Sequence, residues 1–246
     1  MSMNPNMANR EVMDLILLDY QDKTPFLNLD FANVTTTDLA ATRVFAKGGR
    51  GAPNRVGFDG ERTGTLKIDT QITPMKLYAM LSGSEVVKTA SWMKRVVKTA
   101  SNNDSTFTIT LDEEPAAGSV SVFEAGDDCG AKVECTVSGS TVTLTGGAAK
   151  EYIVYYFVKK TAGVETVKFT SKSFPKAFIM HGTTPWKTED DEIAMMHLVY
   201  YKAQPQANFS LAFSSTGDPT TLSITCDLLA NEDGDIYDMQ LETGEN

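Results

Sequence analysis

Few side chains in this chain are of the kinds that usually perform catalysis or bind metals. The two histidines, His181 and His197, lie sixteen residues apart on separate predicted strands. Neither an HxxxH motif nor a Cys/His cluster accompanies them, so the spacing does not support a zinc site. A GxSxG motif is also missing, and with it the support for an α/β-hydrolase nucleophile. We therefore expect both histidines to hydrogen-bond locally, and we expect no enzyme activity and no cofactor.

The three cysteines are Cys129, Cys135 and Cys226, and no CxxC spacing occurs. A sparse and odd set argues against a disulfide scaffold and fits synthesis in a reducing cytoplasm. Small buried or half-buried thiols are the interpretation we favour. A hairpin bridge between Cys129 and Cys135 is the alternative.

Two acidic runs, 189–192 and 231–235, could be read as calcium sites. The first has no EF-hand spacing around it, and the second lacks the glutamate at the twelfth position. Solvated charge runs are the better interpretation of both, and of Asp127 and Asp128. At 231–238 we also expect an acidic and mobile end.

A glycine-rich stretch from Lys47 to Gly64 invites a phosphate-binding interpretation. However, it lacks GxxxxGK[ST] and leads into a strand instead of a helix N-terminus. Six glycines leave it little apolar surface, which predicts a long loop, and such loops are usually functional or disordered. Its bases suit an acidic partner surface, whereas a flexible solvated loop is the alternative. We predict an inter-subunit assembly loop whose contact residues are Lys47, Gly48, Gly49, Arg50, Gly51, Pro53, Asn54, Arg55 and Phe58.

The bulk composition limits the partners of these residues. With 246 residues, 41% hydrophobic and 22% charged, the chain can bury a sizeable core. Its net charge of −10 disfavours affinity for nucleic acid or for a membrane. If DNA were to slide through a channel, the wall of that channel should also have no affinity for DNA. The polar start and the short apolar run 15–18 predict no secretory signal, and Met1, Met3 and Met7 are alternative start residues.

The elements that position these residues are predominantly β. Alternation of apolar and polar residues predicts early strands at 12–20, 26–34, 39–45 and 64–72. Pro74 and Gly83 bracket one short helix, which should pack on the sheet. Two copies of Val-Val-Lys-Thr-Ala-Ser, at 86–91 and 96–101, predict related β segments. The later predicted strands are 165–170, 176–181, 195–202, 207–213 and 220–229.

Between Asp104 and Thr161 the composition changes to short strands separated by turn signals. The predicted strands are 106–111, 119–123, 132–137, 141–145 and 152–158, a spacing typical of a small sandwich. We therefore predict a discontinuous main β domain, 1–103 and 162–246, with a β-sandwich inserted at 104–161. The predicted class is mainly β, a sandwich or barrel flanked by one short helix.

The order of these pieces resembles the major tail tube proteins of tailed bacteriophages, particularly large contractile-tailed ones. The stretches that carry the resemblance lie within residues 10–85 and 165–230, and they are Phe26-Leu-Asn-Leu-Asp-Phe-Ala-Asn-Val, Phe45-Ala-Lys-Gly-Gly-Arg-Gly-Ala-Pro-Asn-Arg-Val-Gly-Phe-Asp-Gly, Gly64-Thr-Leu-Lys-Ile-Asp-Thr-Gln, Pro74-Met-Lys-Leu-Tyr-Ala-Met-Leu-Ser-Gly, Pro205-Gln-Ala-Asn-Phe-Ser-Leu-Ala-Phe and Gly217-Asp-Pro. The 104–161 segment departs from a minimal tube protein and is similar to the immunoglobulin-like decorations of phage structural proteins.

The resemblance implies that six copies join their sheets into a ring and that rings stack into a hollow tube. The implied partners are further copies of the chain and the tail sheath, baseplate and tape-measure proteins, with DNA only in transit and no membrane. The implied location is the virion tail, after synthesis in the host cytoplasm.

Two other functions fit the composition less well. A secreted carbohydrate- or cell-surface-binding module could use Trp92, Trp186 or the tyrosines as stacking platforms, but no signal peptide is expected. A β-fold hydrolase would need a nucleophile or metal motif, and the sequence offers neither.

Overall fold

A computed structural model of the chain describes residues 4–103 and 106–243. It divides into two compact units. The main unit comprises residues 4–85 and 167–243, and the inserted unit comprises residues 86–166 without the two undescribed positions. Each unit has its own buried apolar cluster.

The main unit is a nine-stranded antiparallel sheet with one helix. Its strands are β1 (Met7–Ala8), β2 (Asp14–Asp19), β3 (Pro25–Leu29), β4 (Ala32–Lys47), β5 (Asn54–Thr70), β13 (Phe178–Thr188), β14 (Ile193–Pro205), β15 (Leu222–Leu228) and β16 (Tyr237–Leu241), and its helix is α1 (Met75–Ser82). The sheet order is β3-β2-β13-β14-β15-β5-β4, while β1 pairs with β13 and β16 pairs with β14. The predicted mainly β class with one short helix is confirmed.

Strict alternation builds the core of the main unit. Leu66 and Ile68 of β5 are buried, as are Ile224 and Cys226 of β15, whereas the residues between them point to the opposite face. The register sets Ile224 opposite Ile68 and Cys226 opposite Leu66, so the apolar side chains of the two strands form one layer. Tyr200 of β14 lies in the same cluster, and its hydroxyl is 2.6 Å from Thr37 Oγ1 of β4.

Helix α1 covers this layer with Leu77 and Leu81, both buried. Pro74 precedes the first helical residue, and Gly83 ends the helix with a φ of 65°. The amide of Gly83 donates to Met80 O at 3.3 Å, and that of Ser84 donates to Ala79 O at 3.2 Å. This left-handed ending is the arrangement in which glycine costs least.

The inserted unit contains two small sheets. Its strands are β6 (Ala90–Thr99), β7 (Ser101–Asn103), β8 (Thr106–Thr110), β9 (Ser121–Glu124), β10 (Cys135–Ser138), β11 (Thr141–Leu144) and β12 (Glu151–Lys160). One sheet has the order β10-β11-β8-β7 and the other the order β6-β12-β9. Inward-facing residues of both sheets, among them Ile109, Val142, Val154 and Tyr156, form one buried cluster.

The inserted unit begins earlier in the chain than the sequence indicated. The structure divides the chain at 85/86 and 166/167, whereas the sequence placed the divisions at 103/104 and 161/162. Strand β6 pairs along its whole length with β12, from Ala90 opposite Lys160 to Thr99 opposite Glu151. Residues before 104 therefore share a sheet with the insert.

Some strand predictions were wrong. The segments 165–170 and 207–213 are irregular apart from a single bridge at Thr166, and the predicted strand 26–34 is interrupted between Leu29 and Ala32. The first repeat, 86–91, is mostly irregular, while the second lies largely in β6. The C-terminal acidic end contains the start of β16, which pairs with β14.

Within the described residues, no helix has the length and the hydropathy needed to cross a membrane.

Replacing Gly83 by Ala should destabilise the main unit by about 2 kcal/mol or more. An added Cβ would overlap the carbonyl oxygen of Phe174, and alanine would also bear the cost of a left-handed backbone. The measurement is the urea midpoint, with Gly217→Ala as the matched control. Gly217 has a φ of 91° but nothing within 4 Å of the added atom, so it reports the backbone cost alone. Equal shifts for both variants would contradict the expected clash.

Deleting 86–166 and joining Glu85 to Val167 by a short Gly/Ser linker should leave a soluble, β-rich main unit. The two junctions are close, because Ser84 Oγ donates to Lys168 O at 2.8 Å. Deleting only 104–161 should instead cause aggregation, because β6 would lose β12, its whole ladder partner. Circular dichroism and solubility of both deletions, and of the isolated 86–166 segment, check this. An insoluble 86–166 deletion together with an unfolded isolated segment would contradict it.

Candidate assembly interface

Residues 39–63, which we call the arm, extend the β4–β5 hairpin beyond the sheet. The ladder continues from Leu39 opposite Gly64 to Lys47 opposite Asn54, with a bulge between Ala41 and Arg43. Both faces of both strands are exposed over this length. The arm thus leaves the core at Gly64, where an added Cβ would lie 3.1 Å from both Leu228 Cβ and Leu39 Cδ2.

The prediction of a long loop over 47–64 was therefore wrong in its conformation. Only residues 48–53 form the loop, whereas Asn54, Arg55 and Phe58 belong to β5. Glycines at 57 and 60 weakened the strand signal in the sequence. The period-two order of Val56 and Phe58 was the signal that could have revealed the hairpin.

The tip of the arm is a closed turn. The Gly48 amide donates to Pro53 O at 3.3 Å, and the Ala52 amide donates to Gly49 O at 3.0 Å. Gly49 and Gly51 have φ values of 89° and 85°, which favour glycine. Arg55 Nε donates to the carbonyl of Gly48 at 3.1 Å, so Arg55 fixes the conformation of the tip.

One face of the arm is apolar. In an antiparallel ladder opposing residues point to the same side, so the pairs Val44–Phe58 and Ala46–Val56 share one face. Val44 is 70% exposed, Phe58 60% and Val56 51%. An apolar face of this kind, exposed on both strands of the ribbon, is typical of an interaction surface.

The opposite face of the arm is held by polar and aromatic contacts. Arg43 Nε donates to Asp59 in an exposed ion pair, which contributes less than about 1 kcal/mol. The ring of Phe45 lies across Gly57, with Cε1 3.3 Å from the position of an added Cβ. These contacts keep the two strands together where no third strand supports them.

Charge separates the arm from the rest of the protein. The arm carries five bases and two acids, a net charge of +3, which leaves the other residues with 17 bases, 30 acids and a net charge of −13. Among the described residues, Arg50 at the tip has no ion-pair partner. The arm is thus a basic ribbon on an acidic protein, and an acidic surface would complement its charge.

The predicted contact residues all lie on the distal half of this arm. Lys47 ends β4, Gly48 to Pro53 form the tip, and Asn54, Arg55 and Phe58 begin β5. Sequence reasoning missed Arg43, Val44 and Phe45, because the first strand of the hairpin was assigned to a separate element. It missed Val56 because this residue was placed in the predicted loop.

A second surface lies at the base of the arm, on the side of the sheet that faces away from the core. The outward residues of β4, β5 and β15 form polar rows across the strands, such as Asp38–Thr65–Asp227 and Thr36–Lys67–Thr225. Three acids, Asp38, Asp69 and Asp227, share this surface with one base, Lys67, which lies 3.1 Å from Asp69. We call it the polar sheet face.

The residues considered for chemistry lie apart from both surfaces or in the core. Burial raises the pKa of the Cys226 thiol to about 12, so it is protonated at neutral pH and packs as a core residue. His197 Nε2 lies 2.9 Å from Glu242 Oε1 and Nδ1 lies 3.2 Å from Thr183 Oγ1, which is local hydrogen bonding of the expected kind. In residues 4–103 and 106–243, no three His, Cys, Asp or Glu side chains converge as metal ligands.

Comparison with known protein families gives a match that covers most of the chain. The sequence pattern of the YomU/Tube protein family matches residues 10–239, including the arm, the inserted unit and the polar sheet face. No curated protein matches the chain.

Proposed function

Since this chain belongs to the YomU/Tube protein family, we propose that six copies close into a ring and that the rings stack into a hollow tail tube which conducts DNA. Family membership supports the coarser assignment, a structural tube protein of a bacteriophage located in the virion tail, and such a protein is not expected to be an enzyme. We propose in addition that the ring is a hexamer, that the rings stack and that DNA passes through the tube.

The observation that carries the proposal is the exposed, basic, apolar-faced arm. A two-stranded ribbon is at best marginally stable alone in water, so a contact that covers its apolar face would stabilise it. Its net charge of +3 favours an acidic partner, and the other residues of the same chain carry a net charge of −13. Self-assembly therefore satisfies both the apolar and the electrostatic requirement of the arm.

The sheet offers the means to close a ring. Strands β3 and β4 end the sheet order, and β4 pairs on one side only, with β5. An unpaired edge sixteen residues long is an aggregation hazard for a monomer. Joining this edge to the sheet of a neighbouring copy removes the hazard and makes one continuous barrel.

In such a barrel the polar sheet face lines the bore. Its opposite side is occupied by the core and by α1, so only the polar side is free to face a lumen. With three acids and one base, each copy adds a net charge of −2 to the wall. A negative wall prevents adhesion of DNA in transit, because even a few phosphate contacts per ring would hold it.

The inserted unit takes no part in this assembly in our proposal. We propose that it is an immunoglobulin-like decoration, since its two small antiparallel sheets enclose a separate core. The implied partners of the assembled tube are the sheath, baseplate and tape-measure proteins. We assign the protein to a contractile tail on the sequence resemblance alone.

Purified protein should form rings that polymerise into hollow tubes, visible by negative-stain imaging and size-exclusion chromatography. Replacing both Arg50 and Arg55 by Glu should block tube growth, because it turns the arm from a net charge of +3 to −1 and repels it from acidic neighbours. The thermal midpoint of the monomer should stay nearly unchanged, since both side chains are exposed and the lost hydrogen bond from Arg55 to the carbonyl of Gly48 lies at the tip of the arm, outside the core.

The matched control is Lys132→Glu with Lys168→Glu, which makes the same change of net charge outside the arm. Tubes should still form from this control. A strictly monomeric wild-type protein at high concentration would contradict the proposal. Tube growth by the arm variant, or a large loss of the thermal stability of that variant, would contradict the role of the arm as an assembly contact.

Replacing Asp38 by Lys should make assembled tubes bind duplex DNA, which wild-type tubes should not do. Asp38 is exposed on the polar sheet face, and the change should bring a steep dependence of binding on salt concentration. Glu232→Lys makes the same charge change in the turn 231–235, away from that face, and should leave binding unchanged. Equal DNA binding by both variants, or a bore lined mainly by Lys and Arg in a solved tube, would contradict the assignment.

A further inference from the structure

The inserted unit carries a second apolar layer, on the side of one sheet that faces away from its core. In the sheet β6-β12-β9, Val96, Val154 and Tyr156 pack in the buried cluster, so the residues between them point outward. The register places these outward residues in three rows, which are Met93–Phe157, Arg95–Tyr155–Ser121 and Val97–Ile153–Phe123. We call this surface the aromatic face.

The aromatic face is open to solvent. Met93 is 51% exposed, Val97 46% and Phe157 39%, and exposed apolar surface of this extent often marks a binding site. The rings of Phe123 and Tyr155 lie edge to face, with centroids 5.9 Å apart. This packing fixes the orientation of the Tyr155 ring on the surface.

A polar cluster borders the aromatic face and shares Tyr155 with it. Arg95 Nε donates to Asp128 Oδ2 at 2.9 Å, and Arg95 Nη2 donates to the same oxygen. The Tyr155 hydroxyl donates to Asp128 Oδ1. Arg95 and Tyr155 thereby hold the pKa of the Asp128 carboxyl below its ordinary value, so Arg95 and Asp128 are both ionised at neutral pH and their charges cancel.

The cluster keeps hydrogen-bonding capacity for a ligand. The side chains of Arg95 and Asp128 are 46% and 44% exposed, and two of the five guanidinium donors point at Asp128. The carboxylate belongs to a strained turn, since the next residue, Cys129, has a φ of 64°. Because its partners already hold the carboxylate in place, a ligand would have few side chains to order.

The dimensions of the aromatic face suit a small ligand better than a protein. Strands β6 and β12 are ten residues long and β9 is four. The face is therefore at most about 33 Å by about 14 Å, or about 460 Å². A stable protein interface covers about 800 Å² on each partner.

We propose that the aromatic face binds an uncharged saccharide. A sugar ring stacks on Tyr155 and Phe157, and its hydroxyls hydrogen-bond to the polar cluster. A pyranose has apolar C–H faces and a rim of hydroxyls that donate and accept, which matches aromatic rings beside the donor Arg95 and the acceptor Asp128. Residues 86–166 contain eight bases and ten acids, a net charge of −2, so a neutral saccharide is favoured over an acidic one.

The full-length protein should bind hexamers of glucose, galactose or N-acetylglucosamine, as measured by isothermal titration calorimetry. Tyr155→Ala should weaken binding about tenfold, because it removes the stacking ring and one donor to Asp128. Hexagalacturonate, the acidic probe, should bind more weakly than the neutral hexamers. Tighter binding of a hexamer than of its free monosaccharide would assign the site to a polysaccharide, and equal binding would assign it to a free sugar; either result supports the inference.

Trp92→Ala is the matched control. Trp92 is 38% exposed and lies on β6 four residues before Val96, so it points to the other side of the sheet, and its loss should leave binding unchanged. Failure of the wild-type protein to bind any of the three hexamers, or equal binding by Tyr155→Ala, would overturn the inference. Self-association that Tyr155→Ala abolishes, without saccharide binding, would assign the face to a second copy instead.

Cys129 gives a readout in the unaltered protein. Its thiol is exposed and its Sγ lies 3.9 Å from the Tyr155 hydroxyl. Burial raises the pKa of the Cys135 thiol and raises that of Cys226 to about 12, so Cys129 should be alkylated first by iodoacetamide. A saturating neutral hexamer should slow alkylation of Cys129 several-fold and leave that of Cys135 unchanged, as followed by mass spectrometry.

Equal alkylation of Cys129 with and without the hexamer would overturn the placement of the site. The measurement does not require tubes, because every residue of the site belongs to the inserted unit. Protein that forms tubes but binds no saccharide would therefore contradict this inference alone, whereas protein that binds saccharide but forms no tubes would contradict the proposed function alone.

Discussion

The antiparallel ladder between β4 and β5 is the interaction on which the rest of the main unit depends. Its lower half is a central part of the domain, because β5 also pairs with β15 and buries Leu66 and Ile68 in the core. Within the described residues its upper half pairs with no third strand and buries no core, yet the ladder continues into it, with the register shifted at the bulge between Ala41 and Arg43. The buried half thereby aims the exposed half, so the arm is positioned by the core without being part of it.

The division of the strand into two halves also divides the chemistry of the surface. The arm, residues 39–63, is basic and carries an apolar face. At its base, the polar sheet face on β4, β5 and β15 is net acidic. Two neighbouring segments of one hairpin thus suit different partners. In the proposed tube, the upper segment would contact another copy, and the lower segment would let a polyanion pass without binding it.

The inserted unit shows how a chain can carry an addition without disturbing this arrangement. The buried residues of its core lie between Ala100 and Val158, and its longest strands, β6 and β12, pair with each other. On the main-unit side, Ser84 and Lys168 are joined by a hydrogen bond. The addition therefore begins and ends at neighbouring points of the main unit, and each unit can satisfy its own backbone and its own core.

Local signals in the sequence determined much of this protein. The alternation at 64–72 placed Leu66 and Ile68 on the buried face, and Pro74 and Gly83 marked the ends of α1, because burial on one face and capping are local properties. A different local signal, the glycines at 48, 49 and 51, indicated the turn at the tip of the arm, although the sequence extended that loop to Gly64. Local pattern failed at 207–213, where alternation predicted a strand, because a strand also needs an available partner edge.

Only the tertiary structure decided which strands pair and in which register, because both depend on residues that lie far apart in the sequence. Glycines at 57 and 60 concealed the strand character of the arm, and the register with β4 revealed it. The partnership of β6 with β12, residues more than fifty positions apart, moved the boundary of the inserted unit to Val86. Register likewise brought Asp38, Asp69 and Asp227 onto one face, since a shift of one residue would send each side chain to the other side of the sheet.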